Sequence, residues 1–477
     1  MKVIAILLSA GPALVSVAHL KWFPRINVGG DLFAAMVCFG LSAVVKLVSS
    51  LFITRLINPD AYGIVAILMS IIFLIEMLAD LGVNVFVIRD VRAEEPSFLN
   101  TAWTIRFVRS VVNCCVLLSL SSFIANTIYG TPALTAPLRV CALWFVISGL
   151  ETMAFTLAVR RKKARIPIYV DLGVGILGTI FTISYCYVTR DYWAIIYGTT
   201  FCRVLQTALS YFFYRDYWPR MEFNKEAAKA IFSLTKYSLP SSMLTLALSQ
   251  FDKIVFLRLF NLHLLGIVGV AGGIAGPIES LINRISQSVL YPRCAHNYRE
   301  EPTTFAERYY GENAKIFFGI MVIPAVVLGS ASVLISILYP ANYGEVGSVL
   351  RAVMVRTVLL SLALPSQEML VAAGESQVIL VGNTWRAGWL FTASFVGYWL
   401  FGFYGFIYGA ALSGLPPYLY YLNVQARREI LSVRGECLKV AFIVVAGVTA
   451  AVGAEAFRGF LAYLFGLREQ MRGVMGH

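Results

Sequence analysis

The chain has 477 residues, 58% of them hydrophobic and only 14% charged, with a mean hydropathy of +0.74. Soluble globular domains are roughly half apolar, so a soluble protein is excluded and a polytopic membrane protein is expected. The net charge of +13 would suggest nucleic acid in a soluble chain, but here Lys and Arg gather in short clusters between apolar runs, as the positive-inside rule requires. No nucleic-acid partner is expected.

Taken in order, 1–29 reads as an extra N-terminal apolar or interfacial segment. A signal peptide cut after Ser16–Ala18 would leave Lys21 and Arg25 outside and turn every later charge cluster the wrong way. Twelve spans follow, near 30–54, 62–88, 101–128, 138–159, 166–188 and 192–214, then 237–257, 264–290, 312–338, 346–372, 377–399 and 403–424. Basic clusters such as Arg160 to Arg165 and Arg427 to Arg434 fall in alternate loops, which are therefore cytoplasmic, while the opposite loops are short and nearly free of Lys and Arg. The basic, amphipathic linker 215–236 separates two six-helix bundles, 30–214 and 237–425. After it, 426–477 holds a basic loop and one or two additional apolar segments. Phe457 to Leu467 is too short to cross alone, since a span needs about 20 residues.

The two bundles echo one another. FITRLINPDAYGIVAILMSIIFLIE, Phe52 to Glu76, returns as VFLRLFNLHLLGIVGVAGGIAGPIE, Val255 to Glu279, with Arg55, Asn58, Gly63 and Glu76 matching Arg258, Asn261, Gly266 and Glu279 at one offset. The expected fold is all-α and polytopic, with about 12–14 transmembrane helices in two pseudo-symmetric six-helix bundles around a central cavity, the halves related by an axis along the membrane normal.

A Lys or Arg at the middle of a span costs roughly 2.5–3.5 kcal/mol on insertion scales and is expected to face a wet cavity or a partner. Lys46, Arg203, Arg356 and Arg386 lie at such depth and are the candidate substrate-binding cations. Arg106 and Arg109 fall nearer a predicted helix end, where snorkelling accounts for them. Glu76 and Asp80, four apart and repeated as Glu279 and Asn283, form a polar seam or a coupling site. The turns carrying Arg55, Asn58, Arg258 and Asn261 are the expected outer gate. GVGILG, Gly173 to Gly178, matches a nucleotide fingerprint, but no strand precedes it. Close helix packing explains it, and AGGIAG, Ala271 to Gly276, is given the same explanation. The six cysteines from Cys38 to Cys202 lie in apolar runs and read as small buried hydrophobes, the histidines never pair at a ligand spacing, and no metal or cofactor is expected.

The run TRLINPDAYGIVAILMSIIFLIEMLADLG, Thr54 to Gly82, resembles the polysaccharide-transport family within the multidrug/oligosaccharidyl-lipid/polysaccharide exporter superfamily, through its leucine-rich TRL, its NPDAYG turn and its closing ADLG. The likeness extends over about 30–425. It implies a Wzx-like flippase, not an enzyme, that moves polyprenyl-pyrophosphate-linked oligosaccharide across a bacterial cytoplasmic (inner) membrane by alternating access, for O-antigen, capsule or exopolysaccharide. Its partners would be that lipid-linked oligosaccharide, the membrane lipids, and a polysaccharide polymerase or other assembly proteins. Two other classes are weighed: a cation-coupled multidrug exporter of the same superfamily, which would favour acidic cavity residues, and a membrane polymerase or ligase, which would need catalytic groups on a large outer loop.

Overall fold

The computed structural model describes residues 30–79, 83–89, 92, 95–161, 165–213, 218–232, 261–301, 304–375 and 377–475. The segment 1–29, the seventh expected span 237–257, Asp80 and Arg258 lie outside the described residues. All regular structure among them is helical. The helices are α1 (Gly30–Leu56), α2 (Pro59–Leu78), α3 (Val83–Arg89), α4 (Pro96–Phe123), α5 (Thr135–Leu150), α6 (Ala154–Arg160), α7 (Arg165–Thr189), α8 (Trp193–Phe213), α9 (Leu262–Ile285), α10 (Tyr291–Glu300), α11 (Phe305–Glu312), α12 (Ala314–Leu338), α13 (Val346–Ala372), α14 (Gln377–Ala411), α15 (Leu415–Arg427) and α16 (Val433–Met475). Ten helical stretches among the described residues are long and apolar enough to cross a membrane, and the chain is a multi-pass membrane protein.

One of those stretches, Gln377–Arg427, is a hairpin. Gly402 adopts φ 61, a conformation open to glycine, and beyond it the chain doubles back, so that the indole of Trp389 donates to the Gly409 carbonyl at 3.2 Å. The expected fourth span, 138–159, is broken. α5 stops at Leu150, Glu151 is extended at ψ 135, and the freed backbone N–H of Thr152 donates to the Ser210 hydroxyl at 3.1 Å before α6 begins. At the other end of the chain, the apolar segments after Leu438 form one continuous helix, α16.

Two compact units divide the chain, the first within 1–57 and 67–246, the second within 58–66 and 247–477. In unit 1, α4 packs on α5, α7 on α8, α1 on α7, and α5 on α8. The fingerprint-like glycines behave unequally. A Cβ on Gly178 would strike the Cys202 sulfur, so this glycine does bring α7 against α8, whereas Gly173 and Gly175 meet no described atom within 4 Å. Gly272 and Gly276 meet no described atom within 4 Å. Of the apolar-run cysteines, Cys38, Cys114, Cys141 and Cys186 are buried, but Cys115 is exposed.

Unit 2 is built on α12, which packs on α13 and α16, with α9, α14 and α15 also against α13. Its core runs through Phe305, Tyr309, Phe317, Met321, Tyr418 and Ile443. An ion pair lies inside this core. Lys439 Nζ donates to Glu436 Oε1 at 2.7 Å, their side chains only 3% and 8% exposed. Tyr310 and Tyr418 donate their hydroxyls to the two oxygens of the same carboxylate at 2.9 and 2.7 Å, and the ammonium lies 4.3 Å from the Phe317 ring centre. The first turns of α2 also belong to this unit, and they cross α9 where the repeat places equivalent glycines. A Cβ on Gly63 would run into the Leu262 carbonyl, and one on Gly266 into the Pro59 carbonyl. Each glycine is what lets the helix of the other repeat copy approach.

Candidate functional site

α4 presents Arg106, Arg109, Ser110 and Asn113 at the i, i+3, i+4, i+7 spacing of one helical face. Opposite them α8 carries Arg203, Gln206 and Thr207, and the break after α5 supplies Ser148 and Glu151. With Glu76 of α2 these residues enclose a cavity of about 410 Å³ in unit 1, within the roughly 300–1,000 Å³ typical of small-molecule pockets. Three arginines against two glutamates leave its lining with a net positive charge.

The cations are held in place, not loose. Arg106 Nη2 donates to Glu151 Oε2 at 2.8 Å and to the Ser148 carbonyl at 3.1 Å, the latter an acceptor released by the end of α5. Arg203 Nη1 donates to the Ser148 hydroxyl at 2.6 Å and lies 3.7 Å from Glu76 Oε1. Its guanidinium is 5.4 Å from the ring centre of Trp144, whose indole N–H is anchored on Thr200 at 2.7 Å. Arg109 Nη1 reaches the Ala79 carbonyl at 3.4 Å. The pair of Arg106 and Glu151 is 15% and 17% exposed, while Arg203 and Glu76 are 27% and 35% exposed. The second pair is therefore the more open to an incoming anion.

Of the four sequence-predicted cations, Arg203 alone lines this cavity. Lys46 stands exposed on α1, and Arg386 is half-buried on α14 in unit 2. Arg356, on α13 of unit 2, meets Glu279. Its Nε and Nη2 lie 3.3 and 3.1 Å from Glu279 Oε1, to which the Thr357 hydroxyl also donates at 3.1 Å. The repeat-equivalent glutamates thus each face a mid-helix arginine, Glu76 with Arg203 and Glu279 with Arg356. Asn283 bonds back to the Glu279 carbonyl at 2.9 Å. In the turns, Arg55 and Asn58 are exposed. Asn261 caps α9 by accepting from the Leu264 N–H at 2.9 Å, and His263 approaches Asp60 at 3.7 Å.

Sequence reasoning does not place Arg106 and Arg109 in the site. Pro96, at the first turn of α4, begins that helix five residues before the expected start at 101, which puts both arginines deeper than their predicted depth. A proline at that position was the available signal.

Known structures share the fold. An inward-facing multidrug resistance MATE family transporter of the MOP superfamily aligns with a TM-score of 0.60 at 16% identity, covering 83% of this chain and 94% of its own. Lipid II flippase MurJ in an inward closed conformation aligns with 0.64 at 11% identity, covering 90% and 99%. A MATE structure in a straight conformation gives 0.52 at 16% identity, covering 84% and 94%. Among curated protein sequences none matches. The profile of the family described as "Polysaccharide biosynthesis protein" matches residues 52–348, well over half of the sequence, and the chain belongs to that family.

Proposed function

We propose that the protein is a flippase that carries a polyprenyl-pyrophosphate-linked oligosaccharide across the bacterial cytoplasmic membrane by alternating access during surface polysaccharide biosynthesis. The observation that carries this reading is the arginine-lined cavity of unit 1. A pyrophosphate presents several anionic oxygens to guanidinium forks, and such charge-assisted bonds are strong away from bulk water. At about 410 Å³ the cavity suits the pyrophosphate and an adjoining sugar, with the rest of the glycan outside it. A polysaccharide polymerase or other assembly protein would take the product. Cells lacking the protein should accumulate the lipid-linked oligosaccharide on the cytoplasmic leaflet and lose surface polysaccharide. Sensitivity to cationic dyes with unchanged surface glycan would instead favour a multidrug exporter.

The proposal extends to the gate. The turns that carry Asn58 and Asn261, flanked in sequence by Arg55 and Arg258, close the outer side and separate during the cycle. Supporting this, the two turns meet where Gly63 and Gly266 cross. A disulfide between Asn58→Cys and Asn261→Cys should form readily and stop transport until reduced. Normal export by fully crosslinked protein would show that these turns do not gate.

A further inference from the structure

The stretch 218–232, which follows α8, divides its side chains between two surroundings. The Trp218 ring meets Tyr211 of α8 at a tilt of 51°, with ring centres 5.6 Å apart, so this stretch begins at the level of that helix's end. It is then tied to α4 by polar bonds. Asn100 accepts from the Arg220 N–H at 3.1 Å and donates to the Glu222 carboxylate at 2.9 Å, while Thr101 accepts from the Asn224 N–H at 2.8 Å. The Asn100 bond, reinforced by Ser97, holds the Glu222 carboxyl below its usual range. That contribution is present at and above the ordinary carboxylate pKa and is lost only as pH falls through the lowered value. The Asn224 side chain accepts from the Glu226 N–H at 2.9 Å and so starts the helical segment 225–232. Ala227, Ala228 and Ile231 of that segment are buried with Val87, Phe98 and Leu99.

The opposite face has no protein cover among the described residues. Lys225, Lys229 and Phe232, at i, i+4 and i+7, all point outward. Ahead of them Arg220 is exposed, with Trp218, Met221 and Phe223 at 66%, 69% and 63%. Four large apolar side chains and three cations stand exposed along this stretch, while its two acids are engaged by the protein, Glu222 by Asn100 and Glu226 by Arg92; such a surface is neither an ordinary solvated one nor an apolar protein contact. They match the boundary between acyl chains and anionic headgroups, where aromatic and aliphatic groups insert and Lys and Arg meet phosphate.

We propose that 218–232 is a membrane-docking strip for anionic phospholipids of the cytoplasmic leaflet, the side to which the basic-loop pattern assigns it. Because the strip hangs on Asn100, Thr101 and Thr104 of α4, lipid docking fixes the helix that also carries Arg106 and Arg109. That consequence rests on the proposed function. The docking itself does not.

The test uses the full-length protein in lipid nanodiscs, zwitterionic or containing phosphatidylglycerol, with a photo-crosslinking phenylalanine analogue at position 223 or 232. Crosslinks should go to lipid. In native mass spectrometry, Arg220→Gln/Lys225→Gln/Lys229→Gln should lower phosphatidylglycerol affinity by on the order of a hundredfold, at about fivefold per cation, with phosphatidylcholine binding unchanged. Crosslinks to another protein, crosslinks to none, or phosphatidylglycerol affinity unaltered in the triple variant would each overturn the proposal. If the triple variant does not fold, the crosslinks alone decide, since those proteins keep all three cations.

Discussion

Arg203→Ala is expected to abolish surface polysaccharide while the protein still reaches the membrane in normal amount. The side chain holds the more open of the two ion pairs in the unit 1 cavity, 3.7 Å from Glu76, with the Ser148 hydroxyl at 2.6 Å. Removing a desolvated, hydrogen-bonded charge from a complex costs about 2–5 kcal/mol, a loss of roughly thirty- to several-thousand-fold in affinity for an anionic headgroup. Arg203→Lys keeps the charge but not the planar fork, so it should retain part of the activity. Export at wild-type rate in Arg203→Ala would remove this cavity from the transport path.

The largest effect on stability is expected at Lys439. Its ammonium and the Glu436 carboxylate neutralise each other inside unit 2, and the tyrosine hydroxyls of Tyr310 and Tyr418 complete the carboxylate's bonds. In Lys439→Met the carboxylate remains buried without its cation, and breaking such a pair from one side costs about 3–5 kcal/mol. Glu436→Gln/Lys439→Met removes both charges together and should recover most of that loss, because replacing a whole buried pair is often close to neutral. Thermal unfolding in detergent would show this order directly. A Lys439→Met protein as stable as wild type would mean that the pair does not hold α16 to its unit.

Hydropathy made the membrane helices legible because each must bury an apolar stretch of fixed length. Hydropathy places a span at 30–54 where α1 runs Gly30–Leu56, and one at 312–338 where α12 runs Ala314–Leu338. The repeat carried further information, since Gly63 and Gly266 correspond in sequence and cross in space. What composition could not show was where a helix stops inside an apolar run. The break at Glu151 depends on long-range partners, Ser210 for the backbone and Arg106 for the side chain. The cavity depends on that break. Arg203 is legible by its depth, whereas Arg106 and Arg109 are not, since the helix that carries them starts at Pro96, five residues before the start that hydropathy suggests. The pairing of Glu76 with Arg203 was equally hidden, because no local spacing connects α2 to α8. Lys439 and Glu436 escaped notice for a related reason: near the start of an apolar segment they look like flanking charges, and only the packing of α11, α12 and α15 around them makes them core.

The proposed function requires the arginine cavity to carry a pyrophosphate-linked glycolipid across the membrane. Purified protein in liposomes, loaded on one leaflet with a fluorescent polyprenyl-pyrophosphate oligosaccharide, measures it most directly. Wild-type protein should move the lipid to the opposite leaflet, where an added glycosidase can reach it. Arg203→Ala should leave it where it was placed, and an excess of polyprenyl monophosphate should compete poorly. Equal movement of the glycolipid by wild type and Arg203→Ala, or none by wild type, would contradict the account.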